Sequence, residues 1–183
     1  MTITIVSTPR PIDARFVDGA ALPAGRLGLT HAPGRRHPES SAPEWNRDLD
    51  ADLRHLRSHH GGDVLISLME PEEMSAMGIA ELPERARALG WEWRGFPIPD
   101  MDVPGDRAAF RSLLGEIRGL LDDGRCVILH CLCGLGRSGT VAAAVLVELG
   151  MQAAEAIAAV RRARPGAIQT LDQERLVREL RRD

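Results

Sequence analysis

Lysine and tyrosine are both absent from this sequence of 183 residues, so all 23 of its basic residues are arginine. No stretch of the chain approaches the continuous apolar length that a membrane span needs. Charged residues make up 27% of the chain and its net charge is −3, so it lacks the basic excess that nucleic-acid-binding proteins carry. These absences predict a protein whose partners include neither a membrane nor nucleic acid.

Cysteine is scarce and clustered. Cys126, Cys131 and Cys133 are an odd number of thiols within eight residues, which does not fit the paired framework of a small secreted protein. The amino-terminal segment has no basic stretch followed by an apolar one, so no secretion signal is predicted. Because free thiols fit a reducing compartment, we expect a cytoplasmic protein.

The pattern of apolar residues predicts the fold class. The length suffices for one hydrophobic core and is short for two, so we expect a single domain over residues 1–183. Extended segments at 2–7 and 26–30 predict a small amino-terminal sheet, apolar runs predict buried strands at 64–68 and 126–129, and a further strand is predicted at 91–98. Helical periodicity predicts helices at 49–60, 70–77, 81–89, 110–121, 140–149, 153–164 and 171–181. This alternation predicts an α/β protein with a mainly parallel central sheet flanked by helices.

The most informative segment lies between the strand predicted at 126–129 and the apolar helix predicted at 140–149. It reads His130-Cys131-Leu132-Cys133-Gly134-Leu135-Gly136-Arg137-Ser138-Gly139. A strand that leads through a glycine-bearing loop into a helix directs backbone N–H groups and the helix dipole at one point, which favours a bound phosphate. The expected phosphate-binding residues are Leu132, Cys133, Gly134, Leu135, Gly136 and Arg137.

Two side chains of this loop carry the predicted chemistry. Arg137 can hold two phosphate oxygens with its planar fork, and the electropositive surroundings favour the thiolate of Cys131, the nucleophilic form. Taken singly, a cysteine or glycine at such a junction is usually structural. The conjunction of His, Cys, five residues, Arg and a hydroxyl residue in a strand-loop-helix context is rarely met by chance.

This segment resembles the signature of the cysteine-dependent protein tyrosine and dual-specificity phosphatases. The segments LGLTHAPGRR, PIPDMDVP and GAIQTLDQ look like those of the kinase-associated dual-specificity phosphatases in particular. The resemblance implies that Cys131 is the nucleophile, that Arg137 binds phosphate and that Ser138 donates a hydrogen bond to the departing thiolate. It also implies phosphomonoester hydrolysis through a cysteinyl-phosphate, with no metal or other cofactor.

Such a mechanism needs a carboxylic acid on a loop near the phosphate, to protonate the leaving group. Asp100 and Asp102 lie in the proline-bounded loop after a predicted strand. In the family pattern the acid precedes a proline by four positions, which Asp100 matches and Asp102 does not. The alternative is that both are solvated turn residues, which is the commoner role of aspartate beside proline.

Further residues are assigned supporting roles. Gln169 matches the glutamine that orients water in tyrosine phosphatases, and Gln173 lies one helical turn further along; the alternative is a pair of polar residues at a helix start. His130 has no role as a base beside a thiolate, so we expect it to hold the loop by hydrogen bonds. Arg35 and Arg36 are candidates for the substrate entrance.

His55 and His59 are spaced as a metal-binding pair on a helix, but no third ligand is evident in the sequence. We therefore expect an exposed helix face there and no metal site.

Two other functions stay open at this point. A rhodanese-like sulfurtransferase also cradles a loop cysteine, although it needs neither Asp100 nor Gln169. A non-catalytic phosphate-binding module is the second, and such modules usually lack the cysteine or the arginine that this chain keeps. Since the loop interior carries no basic side chain, the substrate is expected to be a phosphorylated protein or a small phosphomonoester and not an inositol lipid.

Overall fold

The computed structural model describes residues 10–18, 22–37, 40, 42 and 45–180. Its strands form one five-stranded sheet of order β1-β2-β5-β3-β4. The strands are β1 (Arg15–Phe16), β2 (Arg26–Thr30), β3 (Val64–Ser67), β4 (Glu92–Gly95) and β5 (Cys126–His130). The helices are α1 (Leu49–His60), α2 (Pro71–Ala76), α3 (Leu82–Ala88), α4 (Arg107–Asp122), α5 (Gly136–Glu148), α6 (Ala153–Ala163) and α7 (Leu171–Glu179).

The sheet is parallel except at one edge. Strand β5 lies between β2 and β3 and is parallel to both, β4 is parallel to β3, and only the short β1 runs antiparallel, beside β2. All five residues of β5 are buried, as expected for a central strand covered on both faces. The predicted α/β class with a mainly parallel sheet flanked by helices is confirmed.

The sheet has an apolar layer on each face, because successive side chains of a strand point to opposite faces. Val127 and Leu129 belong to the larger layer, which packs against α4, α5, α6 and α7. Ile128 belongs to the second layer, with α1 and α3. Helix α5 lies within the larger layer, and its residues 136–147 are all buried. None of the described helices is long and apolar enough to cross a membrane.

The structure departs from the expected elements in a few places. The prediction of a separate amino-terminal sheet is wrong, because β2 is an inner strand of the main sheet. It pairs with β5 over the whole length of that strand. The strand expected at residues 2–7 lies outside the described residues. We call residues 130–139 the phosphate loop. Helix α5 begins four residues earlier than expected, since the glycine-containing end of this loop is itself helical. Strand β4 begins one residue later than expected, because Trp91 N–H donates to Ala86 O near the end of α3, and it ends three residues earlier than expected.

A buried ion pair fixes the segment before α1. Arg47 donates two hydrogen bonds of 2.7 Å to the Asp52 carboxylate, and Asp52 also accepts from Gly34 N–H at 2.9 Å. Both charged side chains are buried. Removal of one partner leaves the other charge buried without compensation, which is costly.

We expect Asp52→Ala to lower the free energy of unfolding by about 3–5 kcal/mol, measured by urea denaturation. Asp50→Ala is the matched control, since Asp50 pairs with Arg85 at the exposed surface of the same helix and should change stability far less. Equal losses from the two variants would contradict the importance given to the buried pair.

Candidate active site

The loop between β5 and α5 lies at the carboxyl end of the central strand, the edge where parallel sheets commonly bind ligands. Gly134 allows the loop to turn there. Its φ is +71°, and a Cβ at this position would lie 2.5 Å from the backbone carbonyl of Thr30. Any other residue would therefore force the loop away from β2.

Groups outside the loop hold three of its carbonyls. These are Leu132 O, bound by Ala32 N–H (3.1 Å) and Arg35 Nη1 (3.0 Å), Cys133 O, bound by Arg164 Nη2 (3.0 Å), and Leu135 O, bound by Ile168 N–H (3.2 Å). In a trans peptide the N–H points opposite to the carbonyl, and no described peptide is cis. The next N–H groups, those of Cys133, Gly134 and Gly136, therefore face the inside of the loop, as an anion-binding concavity requires.

Helix α5 begins directly at the loop. Its N-cap residue is Leu135, and no described side chain caps the helix. The first-turn N–H groups and the positive end of the helix dipole therefore remain directed at the loop, where an anion is stabilised.

Arg137 is held rigidly beneath this concavity, with 1% of its surface exposed. Its Nη1 and Nη2 donate to the two carboxylate oxygens of Glu73 at 2.6 and 2.7 Å, and Nη1 also donates to Ile98 O at 3.1 Å. Burial opposes the charge, but the hydrogen bonds to Glu73 and the interactions with Cys131 and Asp100 outweigh it and raise the pKa of Arg137. The guanidinium is a fixed cation.

Cys131 is buried at the base of the loop, and its Sγ lies 3.5 Å from Ser138 Oγ. The three thiols of the chain, Cys126, Cys131 and Cys133, are all free. Cys131 and Arg137 belong to opposite ends of one loop, and the structure brings them into electrostatic contact.

The loop between β4 and α4, which we call the aspartate loop, carries two aspartates with different surroundings. Asp100 Oδ1 lies 2.9 Å from Arg137 Nη2, while the carboxylate remains largely exposed. Asp102 Oδ1 instead accepts the N–H of Val103 within its own loop at 2.7 Å. The structure therefore brings Asp100, and not the carboxylate of Asp102, to the arginine.

Gln173 joins the aspartate loop to the segment before α7. Its buried amide donates to Asp102 O at 3.1 Å, and its Oε1 accepts from the N–H groups of Gln169 and Thr170. Gln169 Oε1 lies so close to Gly136 that a Cβ there would be 2.7 Å away. Both glutamines therefore lie against the start of α5, beside the phosphate loop.

His130 is fully buried, and burial lowers its pKa to about 4, with the charge of Arg137 acting in the same direction. The backbone of Cys131 interacts with the ring and opposes this shift, although neither nitrogen meets strict hydrogen-bond geometry with any group in the described part of the chain. His130 contributes a neutral, tightly packed ring, and its role in holding the loop by hydrogen bonds stays a prediction.

Two site residues, Glu73 and Arg164, were not identified from the sequence, and a third, Arg35, was assigned a different place. Glu73 lies among acidic residues at the start of α2, with no local pattern to distinguish it. Arg164 was regarded only as the end of a helix. Arg35 was expected at the substrate entrance, which is wrong: it is buried, binds Leu132 O and lies over the Trp45 ring at 4.0 Å. Arg36 is exposed and donates to Arg47 O.

Comparison with known proteins agrees with this geometry. Residues 41–151 match the family model of a DSP-PTPase phosphatase of polymorphic toxin systems. The chain is also 31% identical to cyclin-dependent kinase inhibitor 3 of Sus scrofa over 158 residues, which cover 85% of this chain and 71% of that protein. This chain belongs to the dual-specificity and protein tyrosine phosphatase family.

Solved structures of family members share the fold. The crystal structure of kinase-associated phosphatase with its catalytic cysteine replaced by serine matches with a TM-score of 0.84 and 27% identity, covering 93% of this chain and 94% of that one. The active form of Tk-PTP matches with a TM-score of 0.66 and 30% identity, covering 91% and 95%. The resemblance to the kinase-associated group is confirmed.

Proposed function

We propose that this family member hydrolyses phosphomonoesters through a cysteinyl-phosphate formed on Cys131. The thiolate attacks phosphorus, the phosphorus–oxygen bond to the leaving group breaks, and Asp100 supplies the proton that the leaving oxygen takes. Ser138, 3.5 Å from Cys131, stabilises the thiolate when water later releases phosphate. Gln169, beside Gly136, orients that water.

The observation that carries this proposal is the buried Nε of Arg137. Glu73 takes Nη1 and Nη2 end-on, whereas Nε is buried and has no hydrogen-bond partner among the described residues. A buried donor without a partner is costly, so its presence beside a nucleophilic thiol calls for a ligand. Once a phosphate displaces the Asp100 carboxylate from Nη2, Nε and Nη2 together bind two of its oxygens.

Glu73 fixes the orientation of the Arg137 guanidinium. Because its two carboxylate oxygens hold the plane of the guanidinium, little conformational entropy is lost when phosphate binds, and the positive charge is in place as the transition state forms. Asp100 lies on Nη2, so the proposed acid is already adjacent to the site of the transferring phosphoryl group.

We infer a phosphoprotein as the substrate class. The loop interior offers Leu132, Cys133 and Leu135 but no basic side chain that would bind the additional phosphates of an inositol lipid. The name of the similar protein cyclin-dependent kinase inhibitor 3 is consistent with a protein substrate. Because the nucleophile must remain a free thiol, we place the reaction in the reducing cytoplasm.

The direct test is hydrolysis of an aryl phosphate and of phosphotyrosine and phosphothreonine peptides by the purified protein. We expect turnover without added metal and no change in rate with excess chelator, since the thiolate and Arg137 supply what a metal supplies elsewhere. Strict dependence on a divalent ion would contradict the proposed chemistry. Thiocyanate production from thiosulfate and cyanide, without phosphate release, would instead favour sulfur transfer.

A further inference from the structure

Three histidines gather at the carboxyl end of α1, far along the chain from the phosphate loop. They are His55, His59 and His60, and their ligand nitrogens all lie within 4.8 Å of one another. The rings of His55 and His59 are stacked at 4.8 Å, and the ring of His60 is edge-on to both. The expectation that no third ligand accompanies His55 and His59 is therefore wrong: His60, next in sequence, turns its ring toward the pair.

The end of the helix favours a bound cation. The three rings lie at the carboxyl end of α1, the negative end of its dipole, where positive charge is stabilised. Neutral imidazole is the form that binds metal.

A carboxylate lies next to His60. Asp13 Oδ1 is 3.6 Å from His60 Nε2, and the other oxygen of Asp13 lies 2.8 Å from Arg15 Nε at the surface. His60 Nε2 also accepts the N–H of Ala14 at 3.4 Å, a contact that the ion would replace. Three imidazoles and one carboxylate form a four-coordinate donor set typical of Zn²⁺. Tetrahedral bonds of about 2.0–2.1 Å require nitrogens about 3.3 Å apart, which rotation of partly exposed side chains can produce.

We propose that His55, His59 and His60 bind a divalent transition-metal ion, Zn²⁺ in the first instance, with Asp13 as the fourth ligand. The site is structural. His60 O accepts from Arg26 Nη1 at 2.9 Å, at the start of β2, and lies 3.7 Å from Cys126 Sγ, at the start of β5. Five residues of β5 separate Cys126 from Cys131, about 16 Å at 3.3 Å per residue.

The ion would therefore act on folding and not on phosphoryl transfer. It would tie the segment that carries Asp13, immediately before β1, to the end of α1. A metal bound by native side chains stabilises the folded state by mass action. This proposal is independent of the proposed phosphatase activity.

The test uses untagged protein, since a polyhistidine tag would bind the same ions. A Cys131→Ser/Cys133→Ser background removes the two thiols of the phosphate loop, so that they do not bind the metal. Titration calorimetry with Zn²⁺ should show one site, and Co²⁺ should give the visible spectrum of a tetrahedral ion. At a hundredfold excess over the Kd, we expect the Tm to rise by about 5 °C or more. His59→Ala should weaken binding by about tenfold or more, and His55→Ala/His59→Ala should remove it.

His37→Ala is the matched control, because His37 is an exposed histidine outside the cluster and should leave the affinity unchanged. Asp13→Asn should weaken binding and shift the Co²⁺ spectrum. Absence of binding at micromolar Zn²⁺, or binding that survives His55→Ala/His59→Ala, would overturn the proposal. Zinc binding unaffected by Asp13→Asn would replace Asp13 by water as the fourth ligand and overturn that assignment alone.

Discussion

Replacing Cys131 by serine is expected to lower the turnover of an aryl phosphate by about 10⁴-fold or more while leaving phosphate and vanadate binding intact. The loss follows because a serine hydroxyl beside Ser138 has no general base and is a far weaker nucleophile than a thiolate. Binding persists because it depends on the inward N–H groups and on Arg137. Steady-state kinetics and calorimetry with inorganic phosphate measure the two effects separately.

Cys133→Ser is the control for this substitution, since it removes a thiol from the same loop without touching the proposed nucleophile. Arg137→Ala should remove both turnover and phosphate binding, and Arg137→Lys keeps a charge for the partly buried Glu73 in case the alanine variant does not fold. A Cys131→Ser protein with a near-normal rate would show that the nucleophile is misassigned.

Replacement of Asp100 by asparagine should lower kcat by about a hundredfold or more for substrates with poor leaving groups. Substrates whose leaving groups are already stable anions should be affected far less, because they depart without a proton. The measurement is the dependence of kcat on the pKa of the leaving phenol or alcohol, which should steepen in the variant.

Asp102→Asn tests the assignment within the same loop. The asparagine oxygen can still accept the Val103 N–H, so the loop conformation should persist and the leaving-group dependence should stay that of the wild-type protein. If Asp102→Asn shows the steep dependence and Asp100→Asn does not, the loop is correct and the residue is wrong.

Much of the architecture was predictable because each element carries a local pattern. The β5 run is apolar without alternation, as a strand buried on both faces must be. Leu49, Leu53 and Leu56 repeat at helical spacing, and Gly61 ends α1 in the left-handed conformation at φ 69°. The phosphate loop was equally legible because its residues are contiguous in sequence.

The remaining features depend on contacts between residues distant in sequence. Glu73 reaches Arg137 across 64 positions, and Arg35 reaches Leu132 across 97, so neither pairing leaves a periodic trace. The inner position of β2 was missed for the same reason, since strand order is a property of the assembled sheet. The histidine cluster was missed because helical spacing relates His55 to His59 but says nothing about how the last turn places His60.

The buried amide of Gln173 has a consequence for how activity should respond to acidity. This side chain connects the aspartate loop, through Asp102 O, to the start of α7, through the N–H groups of Gln169 and Thr170. A carboxamide neither gains nor loses a proton in the physiological range, so the connection keeps its strength as pH changes. Titration of this contact would therefore add nothing to a bell-shaped pH profile, whose two limbs report the acid and the base of the reaction.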